Sequence, residues 1–220
     1  MTRIKLCGFT RATDVRAAVE LGVDLIGLNL ARGPRKIGLD QAAALAREIP
    51  PGVTAVALFV DADEETILTA LSATRCTVVQ LHGRESPELA ERLARRVPVI
   101  RAASISSRAD LEALRGYPAD ALLLDAAVPG QHGGTGTTWD LGLLAGVDLG
   151  RPIYLAGGLG PANVAAVVAA ASPFGVDAAS GVESTPGRKD PEKMSAFVHA
   201  VRGTISSSGD PALENPTEIP

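Results

Sequence analysis

Two residues that can move protons stand at the ends of apolar runs. Cys7 closes the run "RIKLC" and is followed by Gly8, and Asp125 closes the aliphatic run "ALLLD". A thiolate can accept a proton, and a carboxyl group that holds its proton can donate one. The two residue types therefore suggest acid–base catalysis, provided that the fold brings the ends of the two runs to one pocket.

Two glycine-rich turns late in the chain have the composition of an anion site. They are "AGGLG" at 156–160 and "SGVE" at 180–183. Glycine lets backbone N–H groups approach an anion, and a short helix starting near Gly181 would add its positive end. The candidate phosphate-binding residues are Gly157, Gly158, Ser180 and Gly181.

Strand-like and helix-like segments alternate along the chain and must position these groups. We predict strands at 3–7, 24–30, 53–60, 77–81, 98–103, 120–125, 152–156 and 175–179. Helix-period segments lie at 12–21, 40–48, 63–72, 86–96, 107–115, 161–171 and 190–202. Alternation of this kind is typical of parallel strands.

The number of strands favours a closed (β/α)8 TIM barrel over an open doubly wound sheet. An open sheet of the dinucleotide-binding type would carry GxGxxG after its first strand, where this chain has "CGFT". We predict a single α/β barrel domain over residues 1–203. Residues 204–220 lack apolar periodicity and are rich in Ser, Pro and Glu, so we predict a flexible, disordered tail there.

A barrel places its chemistry at the carboxyl ends of the strands. Period-two alternation turns Arg3, Lys5 and Cys7 inward, and it gives Asp125 the same face as Ala121 and Leu123. Cys7 and Asp125 should therefore face one catalytic mouth.

Three further residues have predicted places in the barrel. Gln80 and His82 share a face at the mouth of the fourth strand, where His82 either lines the pocket or only holds a loop. Asp177 lies in the eighth strand, beside the first, and should pair with the inward Lys5 because a buried charge needs a partner.

Composition limits the classes of function. The chain has 220 residues, a net charge of −4, a pI near 5.4 and 3% aromatic residues, which does not suggest a nucleic-acid partner. No run reaches the length of a membrane span, and the chain begins with a strand rather than a signal peptide, so a cytoplasmic location is expected. The two cysteines form no CxxC pair and the three histidines lack ligand spacing, so no metal site is predicted, and Cys76 is expected to be structural.

Several motifs together resemble the phosphoribosylanthranilate isomerase family of tryptophan biosynthesis. They are "KLCGFT" (5–10), "VVQLHG.E" (78–85), "LLLD" through "GGTG" (122–136), "LAGGL.P.NV" (155–164) and "SGVES.PG.KD" (180–190). The resemblance implies a (β/α)8 fold and an Amadori rearrangement of N-(5-phosphoribosyl)anthranilate, without cofactor or metal. By position it implies Cys7 as general base, Asp125 as general acid and Arg35 as the partner of the substrate carboxylate.

The implied chemistry sets an expectation for two pKa values. Asp125 would protonate the ribose ring oxygen as the ring opens to an iminium ion, and the Cys7 thiolate would then remove the proton on C2 of the sugar. The resulting enolamine tautomerises to the ketone. We therefore expect the thiol pKa to lie below its usual value of about 8.5 and the pKa of Asp125 to be raised.

The stretch "LNLARGPRKI" (28–37) departs from the aromatic-rich pattern usual for the family, and Leu141 replaces a common tryptophan. Arg32 and Arg35 both lie in that stretch. A paralogue acting on a related phosphoribosyl-amine, including the histidine-pathway Amadori substrate, is one alternative, and a non-catalytic phosphate-binding barrel is another. Cys7 argues against the first, because relatives of the histidine-pathway enzyme carry aspartate there. The presence of both Cys7 and Asp125 argues against the second. A monomer or homodimer is expected.

Overall fold

Eight parallel strands close into a barrel in the computed structural model, which describes residues 1–126 and 139–203. Each strand pairs with the next in chain order, and β8 returns to β1. The predicted (β/α)8 fold and all eight strands are confirmed. The strands are β1 Arg3–Cys7, β2 Leu25–Asn29, β3 Thr54–Phe59, β4 Val78–Leu81, β5 Val99–Ile105, β6 Ala121–Ala126, β7 Ile153–Ala156 and β8 Gly175–Ala178.

Seven α-helices cover the outside of the barrel within the described ranges. They are α1 Ala12–Glu20, α2 Leu39–Ala46, α3 Glu64–Ala73, α4 Pro87–Ala94, α5 Arg108–Glu112, α6 Val164–Ala171 and α7 Pro191–Gly203. Between β6 and β7 the part of the connection that the structure describes contains only a 3₁₀ turn, Leu141–Leu144. The "GGTG" segment at 133–136 and the predicted tail at 204–220 lie outside the described residues.

The helix α6 begins later than its Gly160-Pro161 start signal predicts. Asn163 is the cause, because its side chain binds backbone groups of the preceding turn. Its Oδ1 accepts from the N–H of Gly160 at 2.8 Å, and its Nδ2 donates to the carbonyl of Gly158 at 3.0 Å. These bonds hold 158–163 as a turn, and the helix starts at Val164.

The barrel separates two cores, as period-two alternation predicts. Ile4, Leu6, Leu122 and Leu124 belong to the outer core between strands and helices. The inner core consists of residues that point into the barrel, namely Leu25, Val56, Val78, Ile100, Ala102, Ala121, Leu123, Tyr154 and Ala156. Cys76 is buried in the outer core, where it packs as a small apolar side chain.

A buried ion pair joins the first and last strands inside the barrel. Lys5 Nζ lies 3.0 Å from Asp177 Oδ1, and the Lys5 side chain is fully buried. The register places Lys5 directly opposite Asp177, so the predicted pair is confirmed. The pair closes the barrel between β1 and β8, two residues below the mouth.

The described ranges contain neither a membrane-spanning helix nor a cluster of metal-ligating side chains. No helix in the described ranges is long and apolar enough to cross a membrane. No group of three or more His, Cys, Asp or Glu side chains in those ranges could hold a metal ion.

Candidate active site

Cys7 lies at the carboxyl end of β1, with its side chain turned toward the inside of the barrel. It pairs with Gly27 in β2, and a Cβ at Gly27 would lie only 2.6 Å from the Cys7 Sγ. Real Cβ atoms do not approach a sulfur so closely, so only glycine at 27 leaves room for the thiol in this orientation. Cys7 is buried but reaches the mouth of the barrel, with 7% of its surface exposed.

The electrostatics of Cys7 differ from expectation. Burial raises the pKa of the Cys7 thiol above its ordinary value, although the cations of Lys5 and Lys189 act in the opposite direction. The expected lowering of this pKa is therefore wrong for the protein without substrate. Desolvation of the thiolate outweighs the neighbouring cations, partly because Asp177 opposes the effect of Lys5.

Asp125 lies at the carboxyl end of β6, and its carboxyl group keeps its proton to a higher pH than an ordinary carboxyl group does. Burial, followed by repulsion from Asp177, raises the pKa of Asp125 to about 6. Gly157, just after β7, makes room for the carboxyl group, because a Cβ there would lie 2.6 Å from the Asp125 Oδ1. The raised pKa agrees with the expectation for a general acid.

The Lys5–Asp177 pair lies within electrostatic reach of both candidate catalytic groups. Asp177 raises the pKa of Cys7 and of Asp125, and Lys5 lowers that of Cys7. Cys7 and Asp125 therefore lie around one buried charge pair, at the strand ends that form the catalytic mouth of a barrel.

Gln80 and His82 extend from the same side of β4 toward this mouth. Gln80 is buried, and its Nε2 lies 3.3 Å from the His82 Nδ1. Burial and the cations of Lys5 and Arg101 lower the pKa of His82, although Asp177 and Glu85 act in the opposite direction, so the imidazole is neutral at pH 7. The Gln80 Oε1 is buried and makes no hydrogen bond with any residue that the structure describes. Gln80 and His82 are thus neighbours at the end of β4, and their lining of a substrate pocket stays a prediction.

The predicted phosphate residues form two adjoining turns after β7 and β8. Gly157 and Gly158 have positive φ angles of 89° and 64°, and Ser180 and Gly181 open a 3₁₀ turn, Ser180–Val182. The turns are in contact, since a Cβ at Gly181 would collide with the carbonyl oxygen of Leu159. The N–H groups of Gly157 and Gly158 make no backbone hydrogen bond to another residue within 1–126 and 139–203. Backbone donors at this position suit a phosphate group.

We expect Gly181→Ala to raise KM for the phosphorylated substrate more than it lowers kcat, because the added Cβ must separate the two turns. Steady-state kinetics and competition by inorganic phosphate would measure the change. Gly38→Ala is the control, since no atom lies within 4 Å of a Cβ at that position. An unchanged KM and an unchanged inhibition constant for phosphate would show that the turns do not bind this group.

Arg35, the candidate partner of a substrate carboxylate, already binds Glu183 with one edge of its guanidinium group. Its Nε and Nη2 donate to Glu183 at 2.7–3.1 Å. The Nη1 edge makes no hydrogen bond to a described residue, and the side chain is 24% exposed. A guanidinium group has five N–H donors, so the outer edge remains able to bind a carboxylate in bidentate fashion. Arg32, by contrast, is exposed.

Sequence reasoning missed three residues that shape the site. Gly27 and the pair Glu183 and Lys189 were read only as parts of a strand or a motif. For Gly27, the available signal was a glycine inside an otherwise aliphatic strand, which indicates close approach of another group. For Glu183 and Lys189 the signal was two charged residues flanking a short turn, but nothing local shows that both are buried.

Comparison with known proteins identifies the same family that the sequence motifs resemble, and the match extends over most of the chain. Residues 4–200 match the family model described as N-(5′-phosphoribosyl)anthranilate (PRA) isomerase. An N-(5′-phosphoribosyl)anthranilate isomerase of Myxococcus xanthus is 47% identical over 206 residues, covering 91% of this chain and 96% of its own.

Solved structures agree with this result. Phosphoribosylanthranilate isomerase from Thermotoga maritima superposes with a TM-score of 0.86 at 38% identity, covering 92% of this chain and all of that one. Another structure, of a phosphoribosylanthranilate isomerase, is in complex with reduced 1-(o-carboxyphenylamino)-1-deoxyribulose 5-phosphate. It has a TM-score of 0.83 at 36% identity, with the same coverage.

Proposed function

The chain belongs to the N-(5′-phosphoribosyl)anthranilate isomerase family and is an isomerase of tryptophan biosynthesis, and on this premise we propose that Cys7 and Asp125 are its catalytic base and acid. Arg35 binds the substrate carboxylate, and the turns at Gly157–Gly158 and Ser180–Gly181 bind the phosphate. Gln80 and His82 line the pocket. One observation supports the proposal most strongly. The pKa of Asp125 is raised, and Asp125 and Cys7 lie at strand ends within electrostatic reach of the same buried Lys5–Asp177 pair.

Each proton in the proposed reaction has a source and a destination. Asp125 donates to the ribose ring oxygen while the C1–O bond breaks, and the nitrogen lone pair forms the iminium C=N bond. The Cys7 thiolate takes the proton from C2, and the C–H electrons form the C1=C2 bond and neutralise the nitrogen. The enolamine then becomes the ketone. The Asp125 carboxylate can accept the proton that the C2 hydroxyl loses, and the Cys7 thiol can return a proton to C1.

The raised thiol pKa does not prevent this chemistry. The active form needs Asp125 protonated and Cys7 ionised, which is the less populated arrangement when the acid has the lower pKa. At pH 7 about a tenth of Asp125 is protonated, given a pKa of about 6. A base of higher pKa is also the stronger base toward carbon, so a small thiolate population is partly offset by its reactivity.

These two pKa values predict the pH profile. Between a pH of about 6 and the pKa of Cys7, the protonated acid falls as fast as the thiolate rises, so kcat/KM should be level. Below pH 6 only the thiolate falls, and above the thiol pKa only the acid falls, so both sides should decline. Rates across pH, together with a ¹³C NMR titration of the Asp125 carboxyl group, would test this. A carboxyl titration near pH 4 would contradict it.

Arg35→Ala should lower kcat/KM by about 10- to 150-fold, because a charge-assisted hydrogen bond contributes roughly 1.5 to 3 kcal/mol. Arg32→Ala is the matched control, since Arg32 lies three residues away and is exposed. It should mainly change the salt dependence of the rate by weakening long-range attraction of an anionic substrate. If Arg32→Ala were crippling and Arg35→Ala mild, the stretch 28–37 would bind the carboxylate differently from this proposal.

The activity itself is tested by the fluorescence of N-(5-phosphoribosyl)anthranilate, which disappears as the ribotide is isomerised. The purified chain should consume this ribotide, and the histidine-pathway ribotide serves as the second arm. Turnover of the second ribotide alone would refute the assignment of substrate. Binding of the product analogue without turnover would indicate a non-catalytic barrel.

Three broader expectations stay proposals. The ligand is a small phosphorylated molecule, in keeping with the product-analogue complex of the solved relative. The chain acts without nucleic acid, as a monomer or a homodimer, and in the cytoplasm. Residues 204–220, which lie outside the described ranges, are proposed to be dispensable for catalysis.

A further inference from the structure

Lys189 is a buried cation to which the reaction described above assigns no step. It lies on β10, Arg188–Lys189, which pairs with β9, Glu183–Thr185, in a short hairpin after β8. Only 1% of Lys189 is exposed. An ammonium group carries three N–H donors, and burying it requires that all of them be bound.

All three donors of Lys189 have acceptors. Its Nζ lies 2.6 Å from the carbonyl oxygen of Cys7, 3.1 Å from that of Ala179 and 3.0 Å from the Glu183 Oε1. The Phe9 ring lies on another side, with its centroid 5.3 Å from the Nζ. The ammonium group is therefore saturated and fixed in one position.

The three acceptors belong to three different parts of the site. Cys7 is the proposed base at the end of β1. Ala179 directly precedes the Ser180–Gly181 turn, which is proposed to bind the phosphate. Glu183 holds the inner edge of Arg35, the proposed partner of the substrate carboxylate. One nitrogen thus contacts the supports of three proposed substrate groups: the thiol, the Ser180–Gly181 turn and the carboxylate-binding arginine.

We propose that Lys189 is a positioning residue that sets the spacing between the proton-abstracting thiol, the phosphate turn and the carboxylate-binding arginine. This inference rests on the proposed function and deepens it. The substrate carries a phosphate at one end and a benzoate at the other, with the reacting C2 between them. A rigid spacing between the three contacts therefore decides whether C2 lies within reach of the thiolate.

Lys189 is itself held in place by the β1–α1 connection and the first turn of α1. Its backbone N–H donates to the Asp14 Oδ2 at 3.0 Å, and the hydroxyl of Thr10 donates to the carbonyl of Gly187 at 2.5 Å. The hairpin is thus attached to the segment that follows Cys7. A displacement of Lys189 cannot be absorbed by the hairpin alone.

Charge balance adds a second effect on Cys7. Burial alone would raise the pKa of Glu183, but Arg35 and Lys189 bring it below its ordinary value, so the carboxylate stays ionised between two cations. Burial lowers the pKa of Lys189 against the opposing effect of Glu183, and with the ammonium group protonated the cluster has one excess positive charge close to the Cys7 carbonyl. That charge favours the thiolate, in the direction opposite to burial.

The test compares Lys189→Met with Lys193→Met. Methionine keeps most of the length of the side chain and removes the charge and the donors. Lys193 is the matched control, because its Nζ donates to the Glu183 backbone carbonyl at 2.8 Å and, within the described ranges, makes no hydrogen bond to Cys7 or Ala179. Both variants carry Cys76→Ala, so that the ultraviolet absorbance of the thiolate reports Cys7 alone.

Lys189→Met is expected to lower kcat/KM by about 10- to 100-fold, the effect of moving reacting groups by a fraction of an ångström to 1 Å. The Cys7 titration and the alkaline side of the pH profile should move to higher pH, and inorganic phosphate should inhibit more weakly. Lys193→Met should leave all three unchanged. A purely structural lysine would lower the thermal midpoint without moving the thiol titration.

Glu183→Gln tests the connection between Lys189 and Arg35 by itself. It also replaces Lys189→Met in the test if that variant does not fold. It should reduce the preference for the reduced carboxyphenylamino-deoxyribulose phosphate over its analogue without the carboxylate, as measured by calorimetry. The inference is overturned if Lys189→Met matches Lys193→Met in rate and thiol titration, or if Glu183→Gln keeps the full preference. If the wild-type chain binds neither compound, the proposed function fails instead.

Discussion

Replacing Cys7 with alanine is expected to lower kcat by about 100- to 10,000-fold, because the variant has no group at the end of β1 to take the proton from C2. Folding should be nearly unaffected, since Cys7 lies at the mouth beside Gly27 and alanine removes only the sulfur. The dissociation constant of the product analogue should also change little, because the proposed contacts to phosphate and carboxylate lie elsewhere.

Cys76→Ala is the matched control for this variant. Cys76 is equally buried, with 7% of its surface exposed, but it lies before β4, at the opposite end of the barrel from the catalytic mouth. Its loss should lower the thermal midpoint and leave kcat near the wild-type value. Turnover by Cys7→Ala at the wild-type rate would refute the assignment of the base.

Replacing Asp125 with asparagine is expected to lower kcat to a similar extent, because an amide cannot give a proton to the leaving ring oxygen. Asparagine has nearly the same shape and still fits against Gly157. The pH profile above the thiol pKa should also differ between the variant and the wild type. The remaining activity of the variant no longer depends on a carboxyl group that must hold its proton. Rates across pH for both proteins would measure this.

The stability of Asp125→Asn provides an independent check. The folded-state pKa of Asp125 is about 6, above the value of about 3.9 in an unfolded chain, so the ionised form costs folding free energy at neutral pH. That cost is absent below the unfolded pKa and fully present above the folded one. The variant should therefore melt at or above the wild-type temperature at pH 7 and lose this advantage near pH 4.

Asp40→Asn is the control, because Asp40 is exposed in the first turn of α2. It should leave both kcat and its pH dependence unchanged. An Asp125→Asn variant that is destabilised at pH 7 yet active would show that the carboxyl group has a structural role only.

The sequence was sufficient for the fold and for the direction in which key side chains point. Strands with period-two alternation identify Cys7 and Asp125 as inward residues at strand ends, and closure of the barrel places Lys5 opposite Asp177. These results follow from local periodicity and from the geometry of a parallel barrel, both of which can be read from the chain.

The electrostatics of the site could not be predicted in the same way. The direction of the Cys7 pKa depends on the balance between burial and several charges, and two of those charges, Asp177 and Lys189, are distant in the sequence. Arg35 likewise matched a motif, but its contact with Glu183 spans 148 residues of chain. Such contacts are products of the closed barrel and of the hairpin after β8.

The most direct test of the account is the kinetic effect of deuterium at C2 of the substrate ribose, measured in single turnover for the wild type and for Cys7→Ser. A serine hydroxyl is a far poorer base than a thiolate at neutral pH, so proton abstraction becomes the slowest step in that variant. We predict that Cys7→Ser reacts slowly and that deuterium slows it by a larger factor than it slows the wild type. A slow Cys7→Ser variant with no deuterium effect would place the thiol in another step and contradict the account.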